Sequence, residues 1–303
     1  MIDILFKTLT LILIIVLGYV LKEFGVFNKD RDFKTFSNLI FYVTLPAAII
    51  TKFDGIEFPI TFLFIALFGF VCNWMYLFVA KTIGKTTDEQ QFSMININGY
   101  NIGNFALPFI SYFLEGLPII AISMFDAGSS AMTGGGNYAV AKTLSNPNDK
   151  PTVRDLLKPV YSSPIVMVYF FMLILSLLKL RLPSLIIETA GVVGSANTFL
   201  SLFMIGVILE LDFDLSTSKR LMKYIFARYI PAAIVAVIIN LFDFIPQEIE
   251  YTLTLILFAP ISGNAPIFTD MLDSDLKLAG QMNSISIIIS TIILTILLIF
   301  MLG

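Results

Sequence analysis

The stretch GYNIGNFALPFI, residues 99–110, decides the fold. It lies within a long apolar run, yet it holds two glycines, two asparagines and a proline. Proline removes a backbone donor and clashes with the preceding turn, and glycine weakens a helix. Hydrocarbon cannot hydrogen-bond the groups that such a break exposes. Open backbone at membrane depth persists only where protein buries it or a water-filled cavity solvates it.

The rest of the chain supports a membrane setting. Its 303 residues are 57% hydrophobic and only 14% charged, with mean hydropathy +0.88. Soluble domains are about half apolar and about a quarter charged. The apolar residues gather in runs of about 20, the length that crosses a bilayer core. Ten spans are expected, at about 4–24, 34–52, 59–81, 92–113, 117–141, 159–179, 183–210, 219–241, 248–271 and 278–302. The first run is too long for the apolar core of a signal peptide and no small-residue cleavage site follows it, so it reads as a retained helix. No histidine is present, which removes the commonest metal ligand and the usual neutral-pH acid–base group. The single cysteine, Cys72, sits in an apolar run and reads as a packing residue.

Loop charge orients the spans. Fourteen lysines and arginines follow spans 1, 3, 5, 7 and 9, and three (Lys52, Lys179 and Arg181) occupy the alternate loops. By the positive-inside rule both termini face outward, and the polar connection 142–158, KTLSNPNDKPTVRDLLK, is cytoplasmic. That connection divides the chain into five-span halves, 1–141 and 159–303. An odd count inverts the second half relative to the first, the signature of an inverted-repeat transporter. The fourth span of each half carries the same punctuation. Span 4 has Gly103-Asn104 followed by Pro108, and span 9 has Gly263-Asn264 followed by Pro266. Two breaks at matching depth in inverted repeats would cross near the midplane. The fold expected is thus an all-α polytopic membrane protein, an inverted repeat of five plus five helices with spans 4 and 9 broken.

Three stretches carry a family resemblance: NLIFYVTLPAAII (38–50), NIGNFALPFI (101–110) with FDAGSSA (125–131), and FAPISGNAPIF (258–268). Together they resemble the auxin efflux carrier family in its bacterial branch, which includes proteins assigned as malate or malonate permeases. Phe105, Ala106 and Leu107 stand where that family is usually richer in glycine. The resemblance implies a scaffold of spans 1, 2, 6 and 7 and a transport part of spans 3–5 and 8–10. It also implies small organic anions, such as carboxylates, as substrates of an elevator-type alternation. The sodium/bile acid symporters, of shared architecture, are the nearest alternative.

The candidate substrate-binding residues are Asn98, Asn101 and Asn104, read as one helix face, together with Pro108, Asn264 and Pro266. Leu45 and Pro46 in span 2 are the expected apolar wall. Asp126, near the middle of span 5, is the candidate for ion or proton coupling, because an intramembrane carboxylate is costly. Gln281 and Asn283 occupy a corresponding place in span 10. No cofactor or metal is called for beyond H+ or Na+ as the coupling ion, and no nucleic acid. The partners expected are the substrate anion, the lipid of the cell membrane and a second copy through the scaffold helices. Arg228 is expected to snorkel to the cytoplasmic edge. Asn73 and Asn197 are expected to bond between helices, and GSSAMTGGGN (128–137) to let helices approach closely. A second class, an intramembrane Mg2+-dependent transferase, would use Asp270, Asp273 and Asp275. It would also need a second acidic cluster on a facing helix, and Asp212 and Asp214, the pair weighed for that role, lie in a cytoplasmic turn.

Overall fold

A computed structural model describes residues 2–146, 152–211, 218–241 and 245–302. The described residues are helical throughout, with no strand. Six helices are long and apolar enough to cross a membrane: Ile2–Glu23, Arg31–Phe53, Ile60–Ile83, Ser184–Ile208, Ser218–Asn240 and Leu276–Leu302. The chain is accordingly an all-helical, multi-pass membrane protein. The four other expected spans are helical too, but interrupted. Part of the 142–158 connection, residues 147–151, and the Asp212/Asp214 pair lie outside the described residues.

Two sets of helix contacts stand out. Ile2–Glu23 lies along Ser184–Ile208, which also packs on Leu45–Phe53 of span 2. In the second group Leu63–Ile83 packs on Leu117–Ala131 and Thr87–Asn96, and Gln247–Leu257 joins them through Leu117–Ala131. The expected close approach is present there. A Cβ added at Gly128 would lie 1.7 Å from the Ala66 carbonyl oxygen, so only glycine fits against span 3. Asn73 reaches the Ser129 hydroxyl at 3.0 Å across the same contact, and Thr44 donates to Asn197 Oδ1 at 3.0 Å in the first group. Both asparagines bond between helices, as their sequence positions imply.

Spans 4 and 9 break where their glycines and prolines stand. Span 4 runs as Thr87–Asn96, an open segment, a π-helical turn Ile102–Ala106 and a short helix Leu107–Ile110. Span 9 runs as Gln247–Leu257, an open segment and Ala265–Asp270. Pro266 sits in the first turn of its second piece, where a missing N–H costs little, and Pro108 follows a π turn that runs directly into Leu107–Ile110. The unequal Asn-to-Pro spacing is thereby explained: Asn104 lies within the π turn, whereas Asn264 caps the helix directly.

Spans 2, 5 and 6 are interrupted as well, span 5 by a π turn over Met132–Gly136 with Gly135 at φ +141°. Span 6, expected as one helix, ends at Ser162 and restarts at Pro164. The Ser163 hydroxyl accepts from the Val166 N–H at 3.4 Å as its N-cap. In span 2 the distortion at Pro46 is a π turn, Ile40–Thr44, which adjusts the backbone ahead of the ring.

Candidate functional site

The two open segments touch. The Asn101 N–H donates to the Pro260 carbonyl at 2.9 Å, which joins the interruptions backbone to backbone. Side chains satisfy much of what the breaks expose. Asn98 Oδ1 accepts from the Gly99 N–H at 2.7 Å, and its Nδ2 donates to the Asn73 carbonyl and to Asn137 Oδ1. Gly99 adopts φ +77°, a conformation that excludes most side chains. Asn283 Nδ2 donates to the Ile261 and Ser262 carbonyls at 3.2 and 3.3 Å, and the Ser286 hydroxyl accepts from the Ile261 N–H. Asn96 Nδ2 reaches the Thr269 hydroxyl at 2.8 Å, tying span 4 to the second piece of span 9.

A cavity of about 140 Å³ opens beside this crossing. Asn101, Asn104 and Asn264 line it from the two breaks, and Asp126, Ser130 and Thr133 from span 5. Span 2 contributes Phe33, Ser37 and Phe41, and span 6 contributes Pro159, Ser163, Ile165 and Val166. Its one charged lining residue is Asp126, and no lysine or arginine lines it. The Tyr169 hydroxyl of span 6 donates to Asp126 Oδ2 at 3.2 Å. Asn264 Nδ2 donates to the Thr133 carbonyl at 3.1 Å, while the buried Asn104 Oδ1 has no protein partner.

The site residues read from sequence divide into two sets. Asn101, Asn104, Asn264 and Asp126 come together around the cavity. The others stand outside its lining. The single asparagine face is not formed, because the helix ends at Asn96 and Asn98 parts from Asn101 and Asn104, which share the cavity. Asn98 and Asn96 hold backbone and neighbouring helices instead. Leu45 is fully buried, with its Cδ2 3.2 Å from where a Cβ on Gly103 would stand, and Pro46 also lies off the cavity. The apolar wall from span 2 is Phe33 and Phe41, nearer the start of that span. Pro108 is buried, and Pro266 and Asn283 line an adjoining cavity of about 230 Å³ with Lys29 and Glu210. Gln281 is buried in span 10 away from both cavities.

Arg228 overturns the snorkelling expectation. It is 0% exposed, with Nη1 on the Ile97 carbonyl at 3.3 Å and Nη2 on the Ala259 carbonyl at 2.9 Å. No group of three or more metal-ligating side chains occurs among the described residues, so the Asp270–Asp275 run does not assemble a metal centre there. Arg220 pairs with Asp275 at 3.1 Å.

Interrupted helices whose freed backbone groups are held by buried amides beside a polar-lined cavity are a pattern that membrane transporters use. Residues 3–141 match the model of the family described as membrane transport protein. This is the auxin efflux carrier-type family that the sequence motifs resemble. It is a family of transporters and not of enzymes, and the match to the first half of the chain indicates a membrane transporter. No curated protein matches the chain.

Proposed function

We propose that the protein is a secondary carrier of small organic anions such as carboxylates, working by elevator-type alternating access. Spans 3–5 and 8–10 would move against spans 1, 2, 6 and 7, in a ten-span inverted repeat with both termini outside. The observation that carries this reading is the cavity at the crossing, where the Asn101, Asn104 and Asn264 amides of both breaks meet Asp126.

The chemistry follows from that lining. Amide N–H groups donate to carboxylate oxygens, and the apolar Phe33, Phe41, Ile165 and Val166 wall receives the carbon skeleton. An anion beside an ionised Asp126, with no basic side chain lining the cavity, would be repelled. One proton therefore accompanies the substrate, carried on Asp126 or shared with the substrate carboxyl. The unpartnered Asn104 Oδ1 suits this arrangement, since a primary amide and a carboxylic acid pair through two hydrogen bonds. The Tyr169–Asp126 bond links span 6 to span 5, across the two groups proposed to slide. Ionised Asp126 would hold that contact and protonated Asp126 would weaken it.

Uptake of mono- and dicarboxylates into proteoliposomes, with imposed pH or Na+ gradients, tests the reading. Accumulation of a carboxylate driven by the pH gradient, and lost in Asn104→Ala, supports it. Accumulation that follows Na+ and ignores pH would return the sodium symporter alternative. Absence of flux for every carboxylate would end the anion reading.

A further inference from the structure

Arg228 lies in Ser218–Asn240, but its guanidinium reaches the ends of two other helices. Ile97 caps the C-terminus of Thr87–Asn96, and Ala259 follows the C-cap of Gln247–Leu257. Carbonyls at a helix C-terminus lack intrahelical donors and carry partial negative charge. The guanidinium carbon also stands 4.7 Å from the Tyr76 ring centre and 4.3 Å from the Tyr100 ring centre. Tyr76 comes from span 3 and Tyr100 from the open part of span 4. Two carbonyl ends and two aromatic faces make a compact receptor for a cation.

Among the described residues no carboxylate forms a salt bridge with Arg228. An apolar side chain of similar size would fill the space at lower desolvation cost, yet would leave both carbonyl ends without a donor. Unwound carbonyls at half-helix ends are where broken-helix transporters commonly coordinate a metal cation. We infer that Arg228 is the built-in cation of this crossing: its guanidinium permanently fills a cation site formed by the Ile97 and Ala259 carbonyls and the Tyr76 and Tyr100 rings. The two breaks are then held together without a bound metal ion, and the site belongs to the protein's own framework rather than to its cargo.

Chemical rescue tests this on the purified full-length protein in detergent, by thermal unfolding followed through size-exclusion fluorescence. Arg228→Ala should lower the unfolding midpoint on the order of 10 °C. Millimolar guanidinium chloride should recover at least roughly a third of that loss, with choline chloride as the ionic-strength control and wild type unmoved. Arg228→Lys, which keeps the charge, should stay well above Arg228→Met, which keeps only the bulk. The inference is overturned if guanidinium raises the Arg228→Ala midpoint no more than choline does, or if the Met variant equals the Lys variant. Should the Ala variant not fold, the Lys–Met comparison decides alone. The readout involves no substrate, so its failure would leave the carrier proposal standing.

Discussion

The Asn101 N–H and the Pro260 carbonyl meet at 2.9 Å, in the open segments of two helices from opposite halves of the chain. This one bond fixes where the cavity-lining amides stand relative to each other. Anything that moves residues 99–101 should therefore disturb both sides of the site.

Gly99→Ala is the sharpest such change. Its φ of +77° is unfavourable for alanine, and the new Cβ would lie 3.0 Å from Thr133 Cγ2 and 3.1 Å from Ser262 Cβ. The left-handed conformation alone costs about 1–2 kcal/mol. The variant should unfold at lower temperature than wild type and transport poorly, which thermal scans and uptake assays would record together.

Asp126→Asn should remove the pH dependence of transport. In wild type a falling pH on the substrate side supplies the accompanying proton, so uptake should rise as that pH falls. The asparagine variant should give a flat profile at whatever rate remains. Tyr169→Phe removes the hydroxyl that donates to Asp126 Oδ2. It should shift the wild-type profile rather than flatten it. Rates across a pH series in proteoliposomes separate the three cases.

Leu45→Ala and Phe41→Ala should part company. Leu45 is fully buried against Gly103 and off the cavity, so truncation should cost about 2–5 kcal/mol of stability while leaving substrate preference unchanged. Phe41 lines the cavity. Its truncation should relax the preference toward bulkier carboxylates with a smaller loss of stability. Competition assays alongside melting curves would show whether the preference follows Phe41.

At the start of span 4, Thr86 accepts from the Glu89 N–H at 3.2 Å, and Glu89 Oε2 accepts from the Lys85 N–H at 3.0 Å. This reciprocal cap is reinforced by Lys223 at 3.2 Å. The Lys85 amide, with Lys223, holds the Glu89 carboxyl below its ordinary range. A depressed carboxyl stabilises the fold above its unfolded value and loses that contribution as pH falls through the folded one. Glu89→Gln should therefore melt lower than wild type at neutral pH, with the gap closing in acid. Thr86→Ala should cost about 1 kcal/mol at either pH. Melting curves at both pH values check the pair.

Much of this was legible because membrane imposes long apolar runs and punishes exceptions. Gly-Asn followed by proline marked both interruptions, since a break in hydrocarbon has no other common cause. The restart of span 6 was equally readable in Ser163-Pro164, a cap residue before a first-turn proline, but the apolar run around it masked the signal. Phe33, Ser37 and Phe41 recur at four-residue steps and also announce a helix face. The proline further along, Pro46, is the more conspicuous feature of that span. Arg228 was not readable. Its partners are carbonyls of residues 97 and 259, and carbonyls leave no trace in a sequence. The parting of Asn98 from Asn101 and Asn104 was hidden for a related reason: periodicity assumes a continuous helix, and this one stops at Asn96.

The family match ends at residue 141, yet the partner of Asn101 is Pro260, about half the chain away. During synthesis residues 99–101 leave the ribosome well before Pro260 does. The amide of Asn101 must wait through that interval without the acceptor it will finally use. The order of the chain thus makes the segment around Pro260 the later of the two partners, and the contact closes only once that segment has been made.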